Sequence, residues 1–170
     1  MKKAYVISCF ILSASLLSIQ SCKKVFDPTD ELIYYTSFEQ ESELNGWVGL
    51  SSMNMMNDTP GSGGDNSVFV SGGCVMPTAK YTLKAVGVEQ IISFSCYGKN
   101  LTSGGSVYLR IDDEKDKDIS IYVDDKTWTF YECSESIVWP ANKDLSICLF
   151  SGGFVGSSML IDEIRLLKKR

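Results

Sequence analysis

The sequence predicts an all-β fold, a two-sheet β-sandwich of jelly-roll type with about ten short strands. Three observations predict it. Short β-branched and aromatic runs recur between clusters of Gly, Ser, Asn and Asp, which is the punctuation of strands joined by turns. Several of these runs alternate apolar and polar residues with a period of two, the period of a half-buried strand. No window sustains helical periodicity, and even the terminal stretch 160–169 alternates. The chain has 170 residues, a length for one folded unit at roughly 100–200 residues per domain. Its 44% hydrophobic share is enough to build a core and too high for a disordered chain.

The order begins outside the sandwich. Lys2 and Lys3 precede an uncharged, mostly apolar stretch from Ala4 to Ile19. It is short for a membrane span, which needs about 20 residues, and right for a signal-peptide core. The stretch ends in Ile19-Gln20-Ser21-Cys22. This resembles the lipobox of bacterial lipoproteins, with an aliphatic residue three before the cysteine and a small one directly before it. Gln20 departs from the usual small residue, as in the looser lipoboxes of Bacteroidetes. The resemblance implies cleavage after residue 21 and lipidation of Cys22, and several acyl chains hold a membrane firmly where one does not. Residues 1–21 are then a lipoprotein signal peptide, 22–31 a lipidated tether and 32–170 the folded domain. Lys23 stands where an aspartate would signal retention in the inner membrane, so the expected location is the outer membrane, with periplasmic or surface exposure left open.

The expected strands are 33–38, 47–50, 67–70, 80–83, 90–97, 106–111, 119–123, 128–133, 145–150 and 159–166. The Asn-, Ser- and Gly-rich stretch 53–64 reads as a mobile loop. Alternation assigns faces. Ile92, Phe94 and Cys96 oppose Ser93, Ser95 and Tyr97. Val107, Leu109 and Ile111 oppose Tyr108, Arg110 and Asp112; Ile119, Ile121 and Val123 oppose Ser120, Tyr122 and Asp124. Leu145, Ile147 and Leu149 oppose Ser146, Cys148 and Phe150. The aliphatic side must be the core. The other side carries Tyr97, Tyr108, Arg110 and Tyr122, expected to be exposed. The charge-rich run 112–118 reads as a solvated hairpin tip between two of these strands. It lacks the glycine and the terminal glutamate of an EF-hand loop.

Composition excludes several chemistries. The chain has no histidine, so a Ser-His-Asp or Cys-His nucleophile and an H-E-x-x-H zinc site are ruled out. Lys and Arg total 16 against 21 Asp and Glu, and this acidic balance argues against nucleic acid. The glycine-rich run 60–64 lacks the Gly-Lys-Ser/Thr and the following helix of a phosphate loop. There is no C-x-x-C. Cys74, Cys96, Cys133 and Cys148 could form disulfides in an envelope compartment, and sequence cannot choose among the three pairings of four cysteines.

Four stretches, in order, resemble the jelly-roll carbohydrate-binding modules appended to bacterial xylanases and glucanases. They are Ser37-Phe38-Glu39 followed by Asn45-Gly46-Trp47; 64–72, from Gly64-Asp65-Asn66 to Ser71-Gly72; 92–97, Ile-Ser-Phe-Ser-Cys-Tyr; and 160–166, with Ile161-Asp162-Glu163-Ile164 at its centre. Trp128 and Tyr131 match a Trp-x-x-Tyr strand, and Glu163 departs from the second aspartate of the closing motif. The resemblance implies a glycan-binding, non-catalytic domain. It also implies a structural calcium held by Glu39 and Asp162 with help from Asp65 or Asn66. A sandwich brings its first and last strands together, so Glu39 and Asp162 can converge, and paired carboxylates beside carbonyls suit a hard cation. Solvated acids at a sheet edge are the alternative.

Trp47 and Trp128 are expected to pack, as their counterparts in such modules do. Trp139 joins Tyr97, Tyr108, Arg110 and Tyr122 as a glycan-binding candidate, since aromatic faces suit sugar C–H edges. The leading reading is a glycan-binding envelope lipoprotein accessory to polysaccharide capture, with a polysaccharide or oligosaccharide as ligand. The alternative is a structural or adhesive lipoprotein that binds another envelope protein. A hydrolase or lyase would need a carboxylate pair or a Tyr/Arg/Lys set, and acids are too plentiful here to single one out.

Overall fold

The structure, a computed structural model, describes residues 29–49, 53–73, 77–112, 114–152 and 154–170. Cys22 with the tether up to residue 28, and Cys74, lie outside the described residues. Among the described residues twelve strands form two antiparallel sheets: β1 Glu31–Thr36, β2 Trp47–Val48, β3 Met53–Met56, β4 Ser67–Ser71, β5 Ala79–Leu83, β6 Gln90–Asn100, β7 Gly105–Ile111, β8 Ile119–Val123, β9 Thr129–Glu132, β10 Ile137–Trp139, β11 Leu145–Phe150 and β12 Ser158–Lys168. The larger sheet runs β10-β6-β12-β4-β3, with β1 also paired to β12 and β9 to β6; the smaller runs β2-β5-β11-β7-β8. This is the two-sheet sandwich expected from the alternation.

The alternation also decides which residues fill the space between the sheets. Ile92, Phe94, Cys96, Val107, Leu109, Ile111, Ile119, Ile121, Val123, Leu145, Ile147 and Leu149 all belong to one buried core with Met159, Ile161, Ile164 and Leu166. Each strand has one apolar face, and only packing the two apolar faces together removes both from water. β7 and β8 pair antiparallel, with Ser106 opposite Tyr122 and Tyr108 opposite Ser120. The acidic run between them holds a short 3-10 turn at Lys115–Lys117.

Two strands lie where none was expected. β3 falls inside the stretch read as a mobile loop, and β10 covers residues read as a loop approach. Met-Asn-Met-Met has weak strand propensity; what makes it a strand is pairing with β4, Met53 against Val70 and Met55 against Val68. Ile137-Val138-Trp139 is only three residues long and is held by pairing to Ile92, Ile91 and Gln90. The remainder of the expected loop is tied down as well. The Asp58 carboxylate accepts from Lys99 Nζ at 2.7 Å and from Trp128 Nε1 at 2.8 Å.

Candidate functional site

The outer face of the smaller sheet collects the polar and aromatic side chains that the core rejects. Three rows cross it. Thr82 of β5 lies beside Ser146 of β11 and Arg110 of β7; Lys80, Cys148, Tyr108 and Ser120 form the next row; Phe150, Ser106 and Tyr122 form the third. Tyr122 is 58% exposed and packs over Gly104. A Cβ on Gly104 would lie 2.7 Å from the tyrosine oxygen, and its φ of +82° favours glycine there. Tyr108 and Tyr122 are therefore diagonal neighbours, within reach of each other for aromatic side chains.

Tyr108 is off the core as alternation predicts, but the expectation that it is exposed is corrected: only 3% of it meets solvent. It sits mid-sheet between β11 and β8, and the Arg110 guanidinium stacks over its ring at 5.0 Å. Its hydroxyl is buried against the Cys148 thiol, a weak partner, with no stronger hydrogen bond. Burial pushes the phenol well above its ordinary pKa, with the neighbouring Cys148 thiol adding to the shift. Arg110 is half-buried and oriented by Asp118: Nε lies 3.0 Å from each carboxylate oxygen, and a terminal nitrogen also donates to Oδ2. A guanidinium carries five N–H donors, so donors remain for a ligand after this pairing.

The other glycan-binding candidates do not join this face. Tyr97 points outward from β6 in the opposite sheet and is half-buried against Phe130, with ring centroids 5.2 Å apart. Strand parity decides in or out, but not which of two sheets a strand enters, so it grouped residues that lie on opposite sides of the molecule. Trp139 is corrected outright. It is 2% exposed, belongs to the core and donates its indole N–H to the Lys143 carbonyl at 2.7 Å. Trp47 is likewise core, and Trp128 is half-buried on Asp58.

The carboxylates predicted to meet do approach a common loop. Glu39 accepts the amides of Asp65 at 2.9 Å and Asn66 at 3.3 Å, and Asn66 Nδ2 reaches back to the Glu39 carbonyl at 3.5 Å. Asp162 is fully buried where β12 breaks register against β6 between Asp162 and Arg165. One oxygen accepts the Glu163 amide at 2.7 Å; the other, Oδ2, is buried with no partner. Both carboxylates press on consecutive glycines. A Cβ on Gly63 would stand 2.7 Å from Asp162 Oδ2, and one on Gly64 about 2.2 Å from the Glu39 carboxyl. Burial raises the Asp162 pKa to about 7, with Glu163, Glu39 and Glu43 adding like-charge repulsion against only one opposing hydrogen bond.

A cation bound at this corner would supply the positive charge that an orphaned buried oxygen beside a second carboxylate lacks. Glu39 and Asp162 would hold it, and Asp65 and Asn66 spend their amides on Glu39. Among the described residues no cluster of three or more His, Cys, Asp or Glu side chains forms a metal site, so backbone carbonyls would have to complete the shell.

Sequence reading missed Glu43, which organises this corner. Its Oε2 accepts from Thr36 Oγ1 at 2.8 Å and from the amides of Ser37 and Phe38, each at 2.9 Å; Oε1 accepts from Glu39 at 3.1 Å and Gln40 at 3.3 Å. That grip holds Phe38 at a φ of +55°, a conformation costly for a bulky residue. Partial burial acts to raise the Glu43 pKa, but the hydrogen bonds outweigh it and hold the carboxyl below its ordinary value. Glu four residues after a Phe-Glu is the signal that was available. Cys96, Cys133 and Cys148 are buried free thiols.

No family model matches the chain, and no curated protein does. Solved structures share its fold. The CBM22-1 xylan-binding domain from Paenibacillus barcinonensis Xyn10C superposes with a TM-score of 0.59 at 14% identity, over 82% of this chain and 95% of that one. The C-terminal family 22 carbohydrate-binding module of Clostridium thermocellum Xyn10B gives 0.57 at 14% identity, over 81% and 92%. The module CBM6cm-2 from Cellvibrio mixtus lichenase 5A, solved in complex with cellotriose, gives 0.52 at 14% identity, over 82% and 100%. At such identities the likeness establishes the sandwich fold.

Proposed function

We propose that this chain is a non-catalytic glycan-binding lipoprotein of a bacterial outer membrane, accessory to polysaccharide capture. The observation that carries the glycan reading is the outer face of the smaller sheet. There an exposed Tyr122, an Asp118-oriented Arg110 and the Tyr108 hydroxyl, held only by the weak Cys148 thiol, lie on adjacent strands. An aromatic face takes the C–H side of a sugar, and fixed polar groups read its hydroxyls. The fold shared with xylan-binding and cellotriose-bound modules supports the same reading. The Glu39–Asp162 corner supports a structural calcium.

A glycan panel that includes xylan and β-glucans, read by affinity electrophoresis and calorimetry, tests the proposal. Binding without release of reducing ends or unsaturated products is expected. Tyr122→Ala should weaken binding by roughly 1–3 kcal/mol, the scale of an interface hot spot, while the melting temperature stays nearly unchanged. Retention of no polysaccharide, together with capture of a stoichiometric envelope protein, would favour the structural or adhesive reading instead.

A further inference from the structure

The turn that follows β11 presents two apolar side chains that neither the core nor the outer sheet face uses. Phe154 is 74% exposed and Val155 91%, the highest values for large hydrophobic side chains among the described residues. They do not hang on a loose loop. The Ser157 amide donates to the Phe154 carbonyl at 3.1 Å, and the Phe154 amide donates to Ser157 Oγ at 3.3 Å. Gly156 stands third in this four-residue turn with a φ of +89°, which glycine adopts without strain. The aromatic ring is thus presented by an already closed turn, and a ligand meeting it loses little further chain entropy.

The turn is continuous with the face that carries Tyr122. Tyr122 Oη donates to the Ser103 carbonyl at 3.4 Å, Ser103 Oγ donates to Ser157 Oγ at 2.9 Å, and Ser157 closes the Phe154 turn. Two more hydrogen bonds fasten the same loops, from the Leu101 amide to the Ser158 carbonyl at 3.1 Å and from the Ser158 amide to Thr102 Oγ1 at 2.8 Å. A Cβ on Gly152 would stand 2.8 Å from Ser157 Oγ and 2.9 Å from Ser103 Oγ, so the loops touch. Phe150, in the row of Ser106 and Tyr122, leads into the turn. Residues 101–104 and 151–158 carry no charge. The loop after β8 brings charge to one border: Lys126 Nζ donates to the Thr102 carbonyl at 2.6 Å, Asp125 accepts from the Tyr131 hydroxyl at 3.3 Å, and Asp124 is exposed. Uncharged ground between two exposed rings suits a sugar chain, whose C–H faces stack on rings and whose hydroxyls need no counter-charge. It offers an anionic lipid or a nucleic acid no cluster of cations.

We infer that the Phe154 turn is a second aromatic platform of the glycan site, so that the ligand is a chain lying over Tyr122 and Phe154 together and not a single sugar. Tyr122 holds one stretch of it on the smaller sheet, and Phe154, with Val155 beside it, holds another past the end of that sheet. The inference rests on the glycan reading and adds to it the length of ligand that the site selects.

Calorimetry of the full chain with xylo- and cello-oligosaccharides, from disaccharide to hexasaccharide, tests it, together with the oligomers of any other polysaccharide that the panel retains. Phe154 lies outside the core, so Phe154→Ala should leave the melting temperature unchanged. It should lower the affinity for hexasaccharides and polymers several-fold and leave that for disaccharides as in the wild type, whereas Tyr122→Ala should weaken every length. Phe154→Trp should keep the affinity for long chains. Equal affinity of wild type and Phe154→Ala at every length, with Tyr122→Ala weakened, would overturn the second platform and leave the glycan site standing. Retention of no polysaccharide would overturn the glycan reading and this inference together. Self-association of the wild type that Phe154→Ala abolishes in sedimentation would assign the turn to a second copy of the chain and overturn the sugar contact.

Discussion

Asp162 pays for its position with a raised pKa, and that makes it testable. Its carboxyl titrates near 7 in the folded chain against 3.8 in a model peptide. The folded state therefore holds a proton that the unfolded state releases between these values. Stability is lost as pH rises through that window, at up to roughly 1.4 kcal/mol per pH unit. Glu43 acts in the opposite sense: its lowered pKa contributes stability above 4.5 that is lost as pH falls. In chelator the melting temperature should therefore peak at mildly acidic pH and decline toward pH 8. Asp162→Asn should flatten that decline. Added calcium should abolish it by binding the ionised, folded form. Melting curves identical with chelator and with calcium at pH 8 would reject the metal. Glu43→Gln should cost about 1–3 kcal/mol, because it weakens charge-assisted hydrogen bonds from four amides and Thr36; denaturant titration measures it.

Between neighbouring strands, β7 and β8 separate stability from binding. Tyr108 is a packed side chain on an outer face, so Tyr108→Ala should destabilise by roughly 3–5 kcal/mol, the cost of emptying a buried aromatic site. Tyr108→Phe removes a hydroxyl whose neighbour is the weakly bonding Cys148 thiol, and should leave the fold about as stable. If the hydroxyl meets ligand, Tyr108→Phe should still weaken glycan binding in calorimetry. Loss of stability with unchanged binding would make Tyr108 purely structural. Trp139→Ala should also cost about 3–5 kcal/mol while leaving the affinity of the folded fraction unaltered, since its ring lies in the core.

At the scale of the whole molecule, the two outer faces have different characters. One carries oriented polar groups with an exposed tyrosine, the other apolar side chains beside the entry of the chain. The proposed lipid anchor at Cys22 is tested directly. Cys22→Ser should leave the precursor unprocessed or release the domain from membranes, read by fractionation and intact mass. Unchanged partition of a processed chain would reject lipidation.

Much of this was legible in the chain itself. Alternation in 92–97, 106–112, 119–124 and 145–150 determined which side chains enter the core, because the pleat turns successive residues to opposite faces whatever the sheet. The Phe-Glu and Ile-Asp stretches pointed to Glu39 and Asp162, because the first and last strands of a sandwich meet. Other features were decided only by tertiary structure. Met53–Met56 and Ile137–Trp139 became strands through partners distant in sequence, which local propensity cannot register. Tyr97 was divided from Tyr108 and Tyr122 by the assignment of β6 to the larger sheet and of β7 and β8 to the smaller. Tyr108 and Trp139 were buried by neighbours that arrive from other strands. Period two determines the side of a strand on which a residue stands; what stands over it is a property of the assembled sheets.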